Sequence, residues 1–229
     1  MLQFLEYFDY RLEDLLHFRP RAYYRLFELY NADIFPAQVL ALALGLAILA
    51  LLRGGDARRG RIVCAILAAC WLWVAWAFHF QRLATIHLAG PIFATAFALQ
   101  GLLLIGIAVA RGGLRFAVEA QLARLAGLGL FLFALFVQPL IGPLVGRPWG
   151  QAELFALAPD PTVVATLGLL LLERDRLAWM LLPIPLLWCI LQGTTLWLLK
   201  SPDAFVLPLA ALLAIVVYFT SFSASRKRG

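Results

Sequence analysis

This sequence predicts an all-α fold: a polytopic integral membrane helical bundle of about seven transmembrane helices, N-terminus out and C-terminus in, preceded by an interfacial amphipathic helix. Three observations predict it. The 229 residues are 63% hydrophobic and 14% charged, with a mean hydropathy of +0.88, whereas an average soluble domain carries about 25% charged residues. Apolar runs near the ~20 residues needed to cross a bilayer recur along the chain. Lys and Arg collect on alternate connections, as they do on the cytoplasmic side of membrane proteins.

Residues 1–34 form the interfacial segment. Leu5, Phe8, Leu12, Leu15 and Leu16 recur at helical spacing with acids on the other faces, and no small-residue cleavage site follows an apolar core, so a signal peptide is not expected. Arg19-Pro20-Arg21 breaks this helix, and Tyr23, Tyr24 and Tyr30 then suit a headgroup belt. Residues 35–222 form a single transmembrane domain. Six long apolar segments lie near 35–53, 62–80, 89–110, 124–146, 178–199 and 203–222. A seventh, near 160–177, is short and begins at the break Pro159-Asp160-Pro161-Thr162. Residues 223–229 are a basic cytoplasmic tail.

The charges discriminate between seven crossings and a re-entrant fifth segment. With seven, twelve Lys and Arg fall on one side and seven on the other; with re-entry the split becomes eight against eleven. Seven crossings match the cytoplasmic excess. The net charge of +6 then reflects cytoplasmic anchors, which points to membrane lipid as a partner and away from nucleic acid.

The stretch 138–172 departs most from plain membrane-helix sequence. A helix runs into Pro139 and Pro143, opens into a polar connection holding Arg147, Gln151 and Glu153, and re-enters apolar sequence at Pro159-Asp160-Pro161. Proline lacks an N–H and disfavours helix in the residue before it. Broken backbone within a bilayer is tolerated only where protein or a hydrated cavity satisfies it. In the seven-crossing reading Gln38, His79, Gln138, Asp160, Thr162, Gln192, Thr194, Thr195 and Asp203 share the outer level, with Gln100 near the middle. Polar groups in hydrocarbon are costly without partners, so this level predicts either an outward cavity or hydrogen bonds that join helices.

The candidate ligand-binding residues are Asn31, Gln38, His79, Gln100, Gln138, Glu153, Asp160 and Thr162. Asp160 has a second reading as the cap that starts a helix, since Asp is a favoured N-cap and Pro a favoured first residue. The sharper expectation has Asp160, with Thr162 and Thr166 on one helical face, bind a cation or small polar ligand, with His79 and Glu153 completing the site. His79 and His87 alone do not define a metal site, which wants three or four ligands. Cys64, Cys70 and Cys189 lack ligand spacing and read as small packing residues. The sequence identifies no cofactor, metal or catalytic residue.

The segments YRLFELYNADIFPAQVLAL, WLWVAWAFHF, ATIHLAGPIFATAFALQGLLL, QPLIGPLVGRPW and APDPTVVATLGLLLL resemble those of a bacterial membrane family, domain of unknown function 6064, over roughly residues 20–200. The family commonly has Pro-Cys-Pro-Thr where this chain has Pro159-Asp160-Pro161-Thr162, and Asn at the position of His87. These departures argue against a thiol-based site and against His87 as a ligand. The resemblance implies the fold and a bacterial inner (plasma) membrane location, and leaves function open.

The leading expectation is a cavity protein that binds a small molecule or ion, with transport as one use. A membrane enzyme acting on a lipid-derived substrate is the alternative, although no HExxH, serine nucleophile motif or phosphate loop is present. A non-catalytic accessory or assembly protein that docks a membrane-protein partner is the third reading.

Overall fold

The computed structural model describes residues 20–54, 56–116, 120–173 and 178–226. The expected amphipathic helix within residues 1–19 lies outside them, as do Arg174, Arg176 and the final three residues of the basic tail. Among the described residues the structure is helical, with one isolated bridge between Phe116 and Glu173.

Helix α1, Pro20–Asp33, buries Tyr23, Leu26, Phe27 and Tyr30. This i, i+3, i+4, i+7 stripe lets one face pack while Arg21 and Arg25 stay exposed on the other. The chain then turns by 90° into α2, Ala37–Leu51. Helix α3, Ala57–Trp73, starts where the Asp56 carboxylate accepts the Arg59 N–H, and runs on as a π-helical turn, Val74–Phe80. Helix α4 spans Gly90–Ala110, with Pro91 in its first turn. Helix α5, Gln121–Leu132, passes through a second π-helical turn, Phe133–Val137, into α6, Gln138–Leu144. The remaining helices are α7 (Pro159–Leu171), α8 (Ala178–Leu181), α9 (Pro183–Leu198) and α10 (Val206–Arg226).

Three helices are long and apolar enough to cross a membrane: Ala57–Thr85, Gly90–Ala110 and Gln121–Leu144, or four if the bent α1–α2 pair is one span. The other expected crossings contain shorter apolar helices, Pro159–Leu171, Pro183–Leu198 and Val206–Thr220. Prolines set the starts of the first two. Pro183 and Pro185 separate α9 from α8, and α7 begins only at Pro159.

Helix α7 is the centre of the bundle. All thirteen of its residues are buried, beneath α5, α9 and α10. At ~1.5 Å per residue it is about 20 Å long, and residues 155–158 leading into it are buried too. A helix that is apolar all round is stable when protein or lipid surrounds it; here it is protein. Its contact with α5 depends on two glycines. A Cβ on Gly168 would lie 2.6 Å from the Gly127 carbonyl oxygen, and one on Gly127 would lie 2.7 Å from that of Gly168.

Gln100 has a local task. Pro185 lacks the N–H that would bond to the Leu181 carbonyl four residues back, and the Gln100 Nε2 donates to that oxygen at 3.0 Å instead.

Candidate functional site

The cavity lies where α6, the 145–158 connection, α7 and the α9–α10 junction meet. Gln138 and Gly142 of α6, Arg147 and Glu153 of the connection, Asp160 of α7 and Asp203 ahead of α10 all line it. It leaves about 10 Å³ of free space, close to the least that holds one water molecule.

Local backbone chemistry positions each wall. The π-helical turn before Gln138 adds a residue to the helical register, as such turns do at functional sites. Helix α6 ends in a Schellman motif: Arg147 N–H donates to the Gly142 carbonyl at 2.9 Å and Gly146 N–H to that of Pro143 at 3.1 Å. Gly146 carries the positive φ of 85° that this motif requires. Arg147 is thereby turned back over Gly142, where a Cβ would already sit 3.3 Å from its Nε.

The connection is held by α1. Asn31 Nδ2 donates to the carbonyls of both Gly150 and Ala152 at 2.8 Å, Tyr30 donates to Leu157 O, and Gln151 donates to Glu28. Gln38 in turn donates to Asn31 O. Asn31 and Gln38 are therefore braces for the cavity's loop, outside its lining.

Thr162 has a bracing role as well. Its hydroxyl accepts the Ala156 N–H and donates to the Ala158 carbonyl, fixing a turn in which Ala156 has φ of 69°. The capping reading of Asp160 is corrected by the same turn: the cap position belongs to Ala158. Asp160 sits in the first turn of α7 and accepts the Trp188 indole N–H at 2.9 Å. Gln192, which approaches the same carboxylate, donates to Tyr23 at 2.5 Å.

The charges around the cavity do not balance. Arg147 is paired with Asp203 at 2.5 Å, with side chains only 14% and 11% exposed. Ser201 donates to the same carboxylate and bonds to Tyr24, and the guanidinium lies over the Tyr24 ring at 4.4 Å. Glu153 and Asp160 add two further carboxylates. Burial, then the nearby Asp160 and Asp203, push the Glu153 carboxyl well above the usual carboxylate range, with Arg147 pulling against them. Gln138 Oε1, Glu153 Oε2 and Arg147 Nε and Nη1 are buried without protein partners.

Gln138, Glu153 and Asp160 are thus brought together, whereas Gln100 and His79 are not at this cavity. Gln100 serves the Pro185 break. His79 is fully buried among Phe78, Phe93, Phe97 and Trp188, with ring centroids 4.4 Å from Phe97 and 5.0 Å from Trp188. Neither ring nitrogen has a hydrogen-bond partner, and edge-on aromatic contacts are the environment in which an N–H meets a π face. Trp188 contacts both His79 and Asp160, but His79 hydrogen-bonds to neither carboxylate and does not line the cavity with Glu153 and Asp160. His87 Nδ1 accepts the Ala89 N–H ahead of α4. Among the described residues no group of three His, Cys, Asp and Glu side chains could hold a metal ion.

Sequence reasoning left Arg147, Tyr23, Tyr24, Trp188 and Asp203 out of the candidate set. Gln192 and Asp203 were already among the polar residues expected at one outer level. Nothing local pairs Arg147 with a partner 56 residues away.

No curated protein and no solved structure matches the chain. One family model does, covering residues 21–228, in agreement with the segments from YRLFELYN to APDPTVVA. The chain belongs to the family of unknown function DUF6064.

Proposed function

We propose that this is a seven-crossing inner-membrane protein, N-terminus outside, that binds a water-sized ion or polar guest in a cavity at its outer end. The charge asymmetry supports the orientation. The α1–α2 bend of 90° and the one-faced burial of α1 support an interfacial helix lying over the bundle. Helices α2, α7 and α9 reach across with help from the connections that flank them.

One observation carries the binding reading. Buried oxygens of Gln138 and Glu153 and nitrogens of Arg147, all without protein partners, belong to residues that line one cavity of about 10 Å³. Each such group left bare costs about 1–3 kcal/mol, and a guest of one or two atoms satisfies several at once. The size excludes a metabolite in this conformation. It favours binding of an ion over turnover of a lipid-derived substrate, and transport is the use to test next.

A guest that binds only the folded state raises its thermal midpoint. The test is the unfolding midpoint of detergent-purified protein across monovalent cations, ammonium, small anions and pH. A guest should raise the midpoint of the wild type and leave Gln138→Leu unmoved. Indifference of the wild type to every solute and to pH would remove the reading, and a C-terminal reporter found outside the cell would overturn the orientation.

A further inference from the structure

Resting on the cavity reading above, we propose that the guest is a proton: Glu153 holds an exchangeable proton beside an ionised Asp160, with one water joining Glu153, Gln138 and Arg147.

The donors around the two carboxylates assign their roles. Asp160 receives the Trp188 indole N–H at 2.9 Å and is approached by the Gln192 amide, so its negative charge is solvated by protein. Glu153 Oε2 has no donor and its residue is 9% exposed. A buried carboxylate oxygen without a donor is costly, and a protonated one becomes a donor itself. Its natural acceptor is Gln138 Oε1, also unpartnered, on a residue that lines the same cavity.

Charge counting leads to the same place. Among the described residues, the groups facing this cluster are Tyr23 and Tyr24 from α1, Arg147 and Glu153 from the connection, Asp160 from α7, Cys189 from α9 and Asp203 from the α9–α10 junction. With tyrosines and cysteine neutral, three carboxylates meet one guanidinium, which is already engaged by Asp203. One proton reduces the excess negative charge without adding volume. A metal cation fits less well, because the Arg147 guanidinium, whose Nε and Nη1 have no protein partner, belongs to the lining of the same cavity, and no three-ligand group is present among the described residues.

The proton has a structural consequence. When Glu153 loses it, two adjacent carboxylates face the bare Nε–Nη1 edge of Arg147. Glu153 then competes with Asp203 for that guanidinium, and the contact that ties the 145–158 connection to the start of α10 weakens. Occupancy of the proton site is thereby coupled to how firmly the cavity is closed.

The experiment is infrared difference spectroscopy of the full-length protein in lipid, titrated between about pH 5 and 9. It follows the C=O stretch of a protonated carboxyl in the wild type, Glu153→Gln and Asp160→Asn. The expected result is one protonated-carboxyl band in the wild type that disappears as pH rises and is absent in E153Q. In D160N the band should be lost at lower pH, because the neighbouring negative charge is gone. Potentiometric titration gives a second readout: the wild type should release close to one more proton per chain above the usual carboxylate range than E153Q does, the histidines and terminal amine being common to both. A wild type with no protonated-carboxyl band at about pH 6, or a band that persists in folded E153Q, overturns the proposal. If that happens while a solute ion still raises the wild-type midpoint, the cavity reading stands with another guest. If neither solute nor pH has any effect, both fall.

Discussion

Replacing Gln100 by Leu removes the side-chain donor to the carbonyl that Pro185 strands, and the consequence can be worked from the structure. Gln100 is fully buried and its Nε2 lies 3.0 Å from Leu181 O. Leu fills a similar volume, so the cavity penalty is small and the cost is that of a buried carbonyl without a partner, about 1–3 kcal/mol. The Gln100 Oε1 is itself unpartnered, and its removal returns part of that cost, which places the expected loss at about 1–2 kcal/mol. Pro185→Ala supplies the missing donor. The next helical bond, Leu186 N–H to Leu182 O at 3.0 Å, is already in place, so the backbone N–H that this substitution introduces is directed towards Leu181 O. The double variant should therefore be more stable than the sum of the single changes predicts, by about 0.5–3 kcal/mol. Reversible unfolding of the four proteins in mixed micelles measures this coupling. Strict additivity would refute the argument that Gln100 attends to the proline break.

Three more outcomes are expected. Gly168→Ala places a methyl 2.6 Å from the Gly127 carbonyl and 2.8 Å from the Phe131 nitrogen; backbone cannot yield as a side chain can, and thermal unfolding should show a loss of about 1–3 kcal/mol, whereas Gly129→Ala, with open space around it, should be neutral. Asn31→Ala removes both amide bonds to the 150–152 backbone, and hydrogen exchange should speed up across residues 149–158 while the centre of α7 stays protected. Glu153→Gln removes a carboxyl that folding holds above its ordinary value of 4.5. Such a group favours the folded state at low pH, and that contribution declines as pH rises from 4.5 towards the elevated folded value. The stability of E153Q relative to the wild type should therefore increase with pH over that window; a difference independent of pH would contradict the raised value.

Much of the helix plan could be read along the chain, because a segment that crosses lipid must be long, apolar and internally hydrogen-bonded. The segment expected at 89–110 is observed as Gly90–Ala110 and that at 124–146 as the continuous Gln121–Leu144. The Pro-Asp-Pro break was visible as well, since proline chemistry is local. The π-helical turns at Val74–Phe80 and Phe133–Val137 were not, because an inserted residue within an apolar run leaves no polar mark.

What the sequence determined by itself was the helical class, the positions of the apolar segments, which polar residues interrupt them, and the family. Only the tertiary structure decided which of those residues meet. It set Gln138, Glu153 and Asp160 on one cavity with the Arg147–Asp203 pair, gave Gln100 to the Pro185 break, enclosed His79 in aromatic rings and put α7 at the centre. The physical reason is that lipid and protein interior are both apolar, so a helix such as α4 or α7 shows little sign of which face packs. A polar residue's cost in that medium is local and legible, whereas its partner is chosen by packing between helices far apart in the chain.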